Sequence, residues 1–179
     1  MIKTLKDLIR EQLKEHDVDV DESIDALDKC PVFLVAAGSA VFTLWRSYVK
    51  ADEANDIVTS ELYTPYETTG INGNKIKKFV NQLNAAIRLG RFETPMKDDP
   101  FLRYAVAVSG DEVRTNPEDA VLKLISAPAA LLDLTTPAFT MLLVGRYTVK
   151  EAVTDAASAV KAINADNRYR KRLLSIKRK

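Results

Sequence analysis

The chain has a single cysteine and a single histidine among its 179 residues. With only Cys30 present, an internal disulfide is excluded and a reducing cytoplasm is the expected compartment. Any Ser-His-Asp or Cys-His pair would have to use His16. Its place between an N-terminal helix and an acidic loop reads as solvated rather than catalytic. Cys30, just before Pro31, reads as a small, half-buried apolar residue at a strand entrance. One of each also falls short of a transition-metal site. Long apolar runs are missing as well. No window approaches the roughly 20 residues of a membrane helix, and the nearest, residues 127–144, is interrupted by Pro128, Asp133, Pro137 and three threonines. Residues 1–14 mix charge with apolar positions and lack a signal-peptide core. There is no internal repeat and no low-complexity segment before the basic end.

Two further patterns come close to a site and stop short. Asp17, Asp19 and Asp21 have the opening spacing of a calcium loop, but Glu22 stands where its glycine belongs and Asp28 where its last glutamate belongs. A solvated acidic loop is the better reading. Gly70-Ile71-Asn72-Gly73-Asn74-Lys75 puts glycines and a lysine before a helix, where anions bind, yet it lacks the G-K-[ST] ending of a phosphate loop. It reads as a turn and helix cap. No cofactor is expected, and the residues supply no paired groups for catalysis.

What is present is an apolar content of 46%, enough for one sizeable core, and an uneven charge. Residues 167–179 hold seven of the 26 basic residues and no acid. The remaining 19 against 25 acids give the rest of the chain a net charge of −6. The chain divides accordingly into one domain over residues 1–165, with helix 2–16 at its periphery, and a basic C-terminal tail over 166–179. Such a tail is either a solubilising end or a contact for nucleic acid or another anionic surface through Arg168, Tyr169, Arg170, Lys171 and Arg172.

Periodicity supplies the elements. Ile2, Leu5, Leu8, Ile9 and Leu13 form the first helical face. Residues 18–29 are acidic and irregular, with Asp21 or Ser23 capping a short turn before Leu27. Strands are expected over 32–37, 40–50 and 57–66, the first two joined by a Gly38-Ser39 turn. Ile76, Phe79, Val80, Leu83 and Ile87 line one side of a helix stopped by Gly90. A strand from Arg91 and one over 101–108 form a hairpin around a loop at 94–100, with Leu102, Tyr104, Val106 and Val108 on one face. Asn116-Pro117-Glu118-Asp119 starts a helix that Pro128 ends or kinks, Thr136-Pro137 opens another, and Thr148 to Glu151 has capping-box spacing before a last helix. The fold class is α+β, a mainly antiparallel sheet of about five strands with helices packed on one face. Trp45 and Tyr48 fall on opposite faces of their strand, so one of them looks away from the core. An exposed aromatic there suggests a peptide groove, a dimer seam or a stacking platform.

Several short runs resemble a known family. Asn81-Gln82-Leu83-Asn84, Leu89-Gly90-Arg91-Phe92-Glu93 and Leu102-Arg103-Tyr104 look like the N-x-x-N, G-x-F-E and hydrophobic-R-Y run of the YbjN family of bacterial proteins. Leu131-Leu132-Asp133, Pro137-Ala138-Phe139 and the stretch from Gly145 to Glu151-Ala152 look like its C-terminal helices. The likeness covers roughly residues 31–160, and Trp45-Arg46-Ser47-Tyr48 matches it weakly. The family's fold is similar to that of type III secretion chaperones. What the resemblance implies is a non-enzymatic sensory or regulatory module, a homodimer that holds an extended protein or peptide segment, with no catalytic residues to carry over.

Overall fold

The computed structural model of the protein describes residues 3–18, 20–37, 45–94 and 100–166, with Ala37, Trp45 and residues 162–166 described in backbone only. Helix α1, Leu5–Glu15, starts at a reciprocal cap in which the Thr4 hydroxyl accepts from the Asp7 amide and the Asp7 carboxylate accepts from the Thr4 amide. Its apolar stripe buries Leu5, Ile9 and Leu13. Strands β1 (Val20–Ile24), β2 (Pro31–Ala37), β3 (Trp45–Asp52) and β4 (Ile57–Glu67) follow, then helix α2 (Gly70–Leu83) with a 3-10 turn at Asn84–Ala86. Next come β5 (Arg91–Glu93), β6 (Phe101–Ser109), α3 (Gly110–Thr115), α4 (Pro117–Val121), a π turn (Leu122–Ser126), α5 (Ala127–Leu143) and α6 (Val149–Asp166). The strands form one sheet in the order β1-β2-β3-β4-β6-β5, antiparallel at each pairing. The architecture is α+β.

Alternation along the strands decides which face is covered. In β4, Val58, Ser60, Leu62, Thr64 and Tyr66 are buried while Tyr63, Pro65 and Glu67 are exposed. On β6, Leu102, Tyr104, Val106 and Val108 are buried between Phe101, Arg103, Ala105 and Ala107, as the sequence alternation predicts. The helices and the π turn pack on that inner face: α1 on β3, α2 on β4 and β5, α5 on β6. Phe139 of α5 lies at the centre, stacked on Tyr66 at 4.4 Å and meeting Phe79 and Phe92 edge-on at 4.6 and 5.6 Å. Burying each such ring contributes about 1.5–3 kcal/mol.

Several elements differ from the sequence expectation. β1 occupies part of the stretch read as irregular, because Val20 to Ile24 pair residue by residue with Val35 to Pro31. The sheet therefore has six strands. The cap before Leu27 is Asp25, whose carboxylate accepts from the Leu27 and Asp28 amides at 2.8 and 3.3 Å. Helix α2 begins at Gly70, earlier than expected, and its last turn leaves out Ile87. Gly90 has φ +70 beside the Tyr104 ring, so it turns the chain into β5 instead of ending a helix. Helix α3 starts directly off β6: the Ser109 hydroxyl accepts from the Glu112 amide, while the Gly110 amide donates to the Asp56 carbonyl at 2.7 Å. The expected caps at Asn116 and at Thr148 with Glu151 are present.

Neither Pro128 nor Pro137 ends its helix. Residues Pro117–Leu143 form one continuous helix, because the wider π turn just before Pro128 relieves the clash of its ring with the preceding carbonyls. Around Pro137, the hydroxyls of Thr135, Thr136 and Thr140 donate to the carbonyls of Leu131, Leu132 and Thr136 at 2.8 to 3.0 Å. By length and composition this helix could cross a membrane, but 72% of its most apolar window is buried inside the protein. Its apolarity is matched to the core it fills. The proline in β4, Pro65, falls where the pairing with β6 slips between Tyr63 and Glu67, so its missing N–H interrupts no ladder.

Candidate binding face

The outer face of the sheet carries no helix among the described residues. Tyr48 of β3 points to it and is 42% exposed, opposite Glu61 of β4. Its ring meets Tyr63 edge-on, centroids 5.7 Å apart and planes at 83°. The Tyr63 hydroxyl donates to Glu61 Oε2 at 3.3 Å. Next to the rings, the Arg103 guanidinium bridges two strands, donating to Glu61 at 3.0 Å and to Glu93 at 2.8 and 3.0 Å. Arg91 reaches Glu93 from the same edge strand at 2.8 Å. Burial pushes the Glu93 carboxyl up, but the bonds from Arg91 and Arg103 outweigh it and hold it below its ordinary range. The half-buried Val32, Leu34 and Ala36 of β2 extend the apolar strip beside Tyr48, with Arg46 exposed at its end. The surface so formed combines aromatic edges with charges of both signs, of which Arg91, Arg103, Glu61 and Glu93 are paired to one another.

Of the residues singled out from the sequence, Tyr48 lies in this surface. Trp45 opens β3 opposite Ala37, and only its backbone is described. Arg168, Tyr169, Arg170, Lys171 and Arg172 lie outside the described residues, as do the Gly38-Ser39 turn and most of the loop at 94–100. Tyr63 and the Glu61-Arg103-Glu93 bridge did not figure as site residues. Strand parity carries the signal for Tyr63, which differs by one from buried Leu62, whereas the bridge needs the register between β4, β6 and β5.

His16 caps the C-terminus of α1, and its Nε2 is buried without a hydrogen-bond partner, so it is not the solvated residue expected. Cys30 is half-buried, and burial, followed by the neighbouring Asp28 carboxylate, pushes its thiol up, away from the reactive thiolate. Asp25 and Asp28 hold Lys50 instead of a cation from solution. Both glycines of the Gly70–Lys75 stretch have backbone reasons: Gly70 has φ +71, and a Cβ on Gly73 would lie 2.3 Å from the Thr68 carbonyl oxygen. Among the described residues no three His, Cys, Asp or Glu side chains gather as a metal site requires.

No family model, no curated protein and no solved structure matches the chain.

Proposed function

We propose that the protein is a non-enzymatic, secretion-chaperone-like binding protein of the cytoplasm that holds an extended segment of another protein across the open face of its sheet. The observation that carries this reading is the exposed Tyr48–Tyr63 pair on a face that no helix covers among the described residues. Rigid aromatic edges supply contact area at little entropic cost, and backbone and side chains of a peptide can meet them from above. The mixed charge favours protein over nucleic acid, since Arg103 and Arg91 are already held by Glu61 and Glu93. The likeness of Leu89 to Glu93 and Leu102 to Tyr104 to the YbjN family supports the same reading, and with it a homodimer of bacterial origin.

The test is peptide capture by the full chain from a display library of random extended segments. Tyr48→Ser with Tyr63→Ser should abolish capture while the far-UV circular dichroism stays unchanged. Equal capture by the double variant, or turnover of a small metabolite by the purified protein, overturns the reading.

A second reading rests on the seven cations of residues 167–179. It is a nucleic-acid accessory protein, whose affinity for DNA or RNA would fall steeply with salt and vanish when Arg168, Arg170, Lys171 and Arg172 are changed to glutamine.

A further inference from the structure

Arg10, Lys50, Arg103, Arg114 and Lys123 are each held by two carboxylates. In a body richer in acid than in base, such pairing is expected. Helix α2 departs from it. Residues 68–92 hold five cations and no acid. Four of them, Lys75, Lys77, Lys78 and Arg88, are exposed and make no ion pair among the described residues. At about 100° per residue, the exposed side chains of α2 fall within an arc of about 160°. Lys75 and Lys77 stand at its two margins, with Asn74, Lys78 and Asn81 along its middle. Neither asparagine side chain has a partner among the described residues. Ile71, 98% exposed, opens the same face.

The charge fits a polyanion, and the other side chains select which. A membrane surface takes a row of apolar side chains, and here Ile71 stands alone. Single-stranded nucleic acid calls for aromatic stacking, but Phe79, the one ring of α2, is buried. Duplex RNA keeps its bases in a major groove too narrow to enter. The major groove of duplex DNA, about 12 Å wide, admits a helix. We propose that the exposed face of α2 docks in the major groove of duplex DNA. Lys75 and Lys77, on opposite flanks, meet phosphates of the two strands that bound the groove, and Arg88 adds a backbone contact past the helix end. Asn74, Lys78 and Asn81 face the base edges, where asparagine pairs with adenine and lysine with guanine, and Ile71 meets thymine methyl groups. Because α2 packs on the inner side of the sheet, this interface lies opposite Tyr48. It uses neither the open face nor residues 167–179, and stands whatever those bind.

Fluorescence anisotropy with a labelled DNA duplex of about two helical turns, at several salt concentrations, tests it. The full chain is used with the seven basic residues of 167–179 changed to glutamine, so that binding by that segment is not mistaken for binding by α2. Changing Lys75, Lys77 and Lys78 to glutamine, which also favours helix, should weaken binding at least about tenfold. It should also lower the slope of log affinity against log salt by about two to three. Lys14→Gln with Arg46→Gln, exposed cations on other elements, should leave affinity within about threefold. A pool of random duplexes selected on the chain should converge on one sequence. Asn74→Ala with Asn81→Ala should lose that preference at unchanged salt slope. Equal affinity of the lysine variant overturns the proposal, as does a pool that fails to converge. Equal lysine-dependent binding of duplex RNA, phosphatidylserine vesicles or polyglutamate overturns it too.

Discussion

Gly73 lies against the carbonyl of Thr68 so closely that a Cβ at position 73 would stand 2.3 Å from that oxygen. The atoms that the added Cβ would meet are backbone, so no side chain can step aside to admit it. Gly73→Ala is expected to cost about 3 kcal/mol in urea unfolding. Gly70 offers the contrast. Nothing lies within 4 Å of its added Cβ, and only its φ of +71 opposes a side chain, so Gly70→Ala should cost about 1 kcal/mol. Equal losses would mean that backbone conformation, not space, sets both.

Phe139 is the ring on which Tyr66, Phe79 and Phe92 converge. It is fully buried, so its removal leaves a cavity that three stiff neighbours cannot fill. Phe139→Ala should lower stability by about 3–5 kcal/mol, and Phe139→Leu by distinctly less. Denaturant midpoints at unchanged slope check both.

Ser47 and Ser60 are completely buried on the inner face and bond to each other at 2.5 Å. Ser60→Ala strands the Ser47 hydroxyl away from water at a cost of about 1–3 kcal/mol. Replacing both by alanine removes the orphan too, so the double variant should lose less than the sum of the singles. A double-mutant cycle measures the difference.

Acid should destabilise the protein in a defined direction. Glu93 has its pKa below the ordinary 4.5 in the folded state, where Arg91 and Arg103 outweigh its burial, and the hydrogen bond from Arg10 holds Glu22 down likewise. A carboxylate with a depressed folded pKa adds stability that is complete above its unfolded value and is lost as pH falls through the folded one. Urea unfolding from about pH 7 to about pH 3 should therefore show a decline setting in below about 4.5. In Glu93→Gln that decline should be shallower. A steeper decline would contradict the assignment of Glu93 as an ion-pair partner.

How much of this was legible in the chain differs by element. The buried side of α2 follows from Ile76, Phe79, Val80 and Leu83, and that of β6 from a strict alternation. The caps at Asn116 and Thr148 likewise needed only neighbours in sequence. β1 was hidden because Val-Asp-Glu-Ser-Ile has no apolar alternation, and an edge strand with both faces near water needs none. Pro128 read as an end or kink and Pro137 as the start of a new helix because a proline's missing N–H is a local fact, whereas its accommodation by the π turn and by threonine hydroxyls is not.

The sequence by itself determined the α+β class, the single core and the separation of an acidic body from a basic end, since each is a matter of local periodicity or of simple charge. The order of the strands, the face on which Tyr48 meets Tyr63 and the bridge from Arg103 to Glu61 and Glu93 were decided only in three dimensions. Strand pairing joins residues dozens of positions apart, and periodicity along the chain carries no information about which of them will be neighbours.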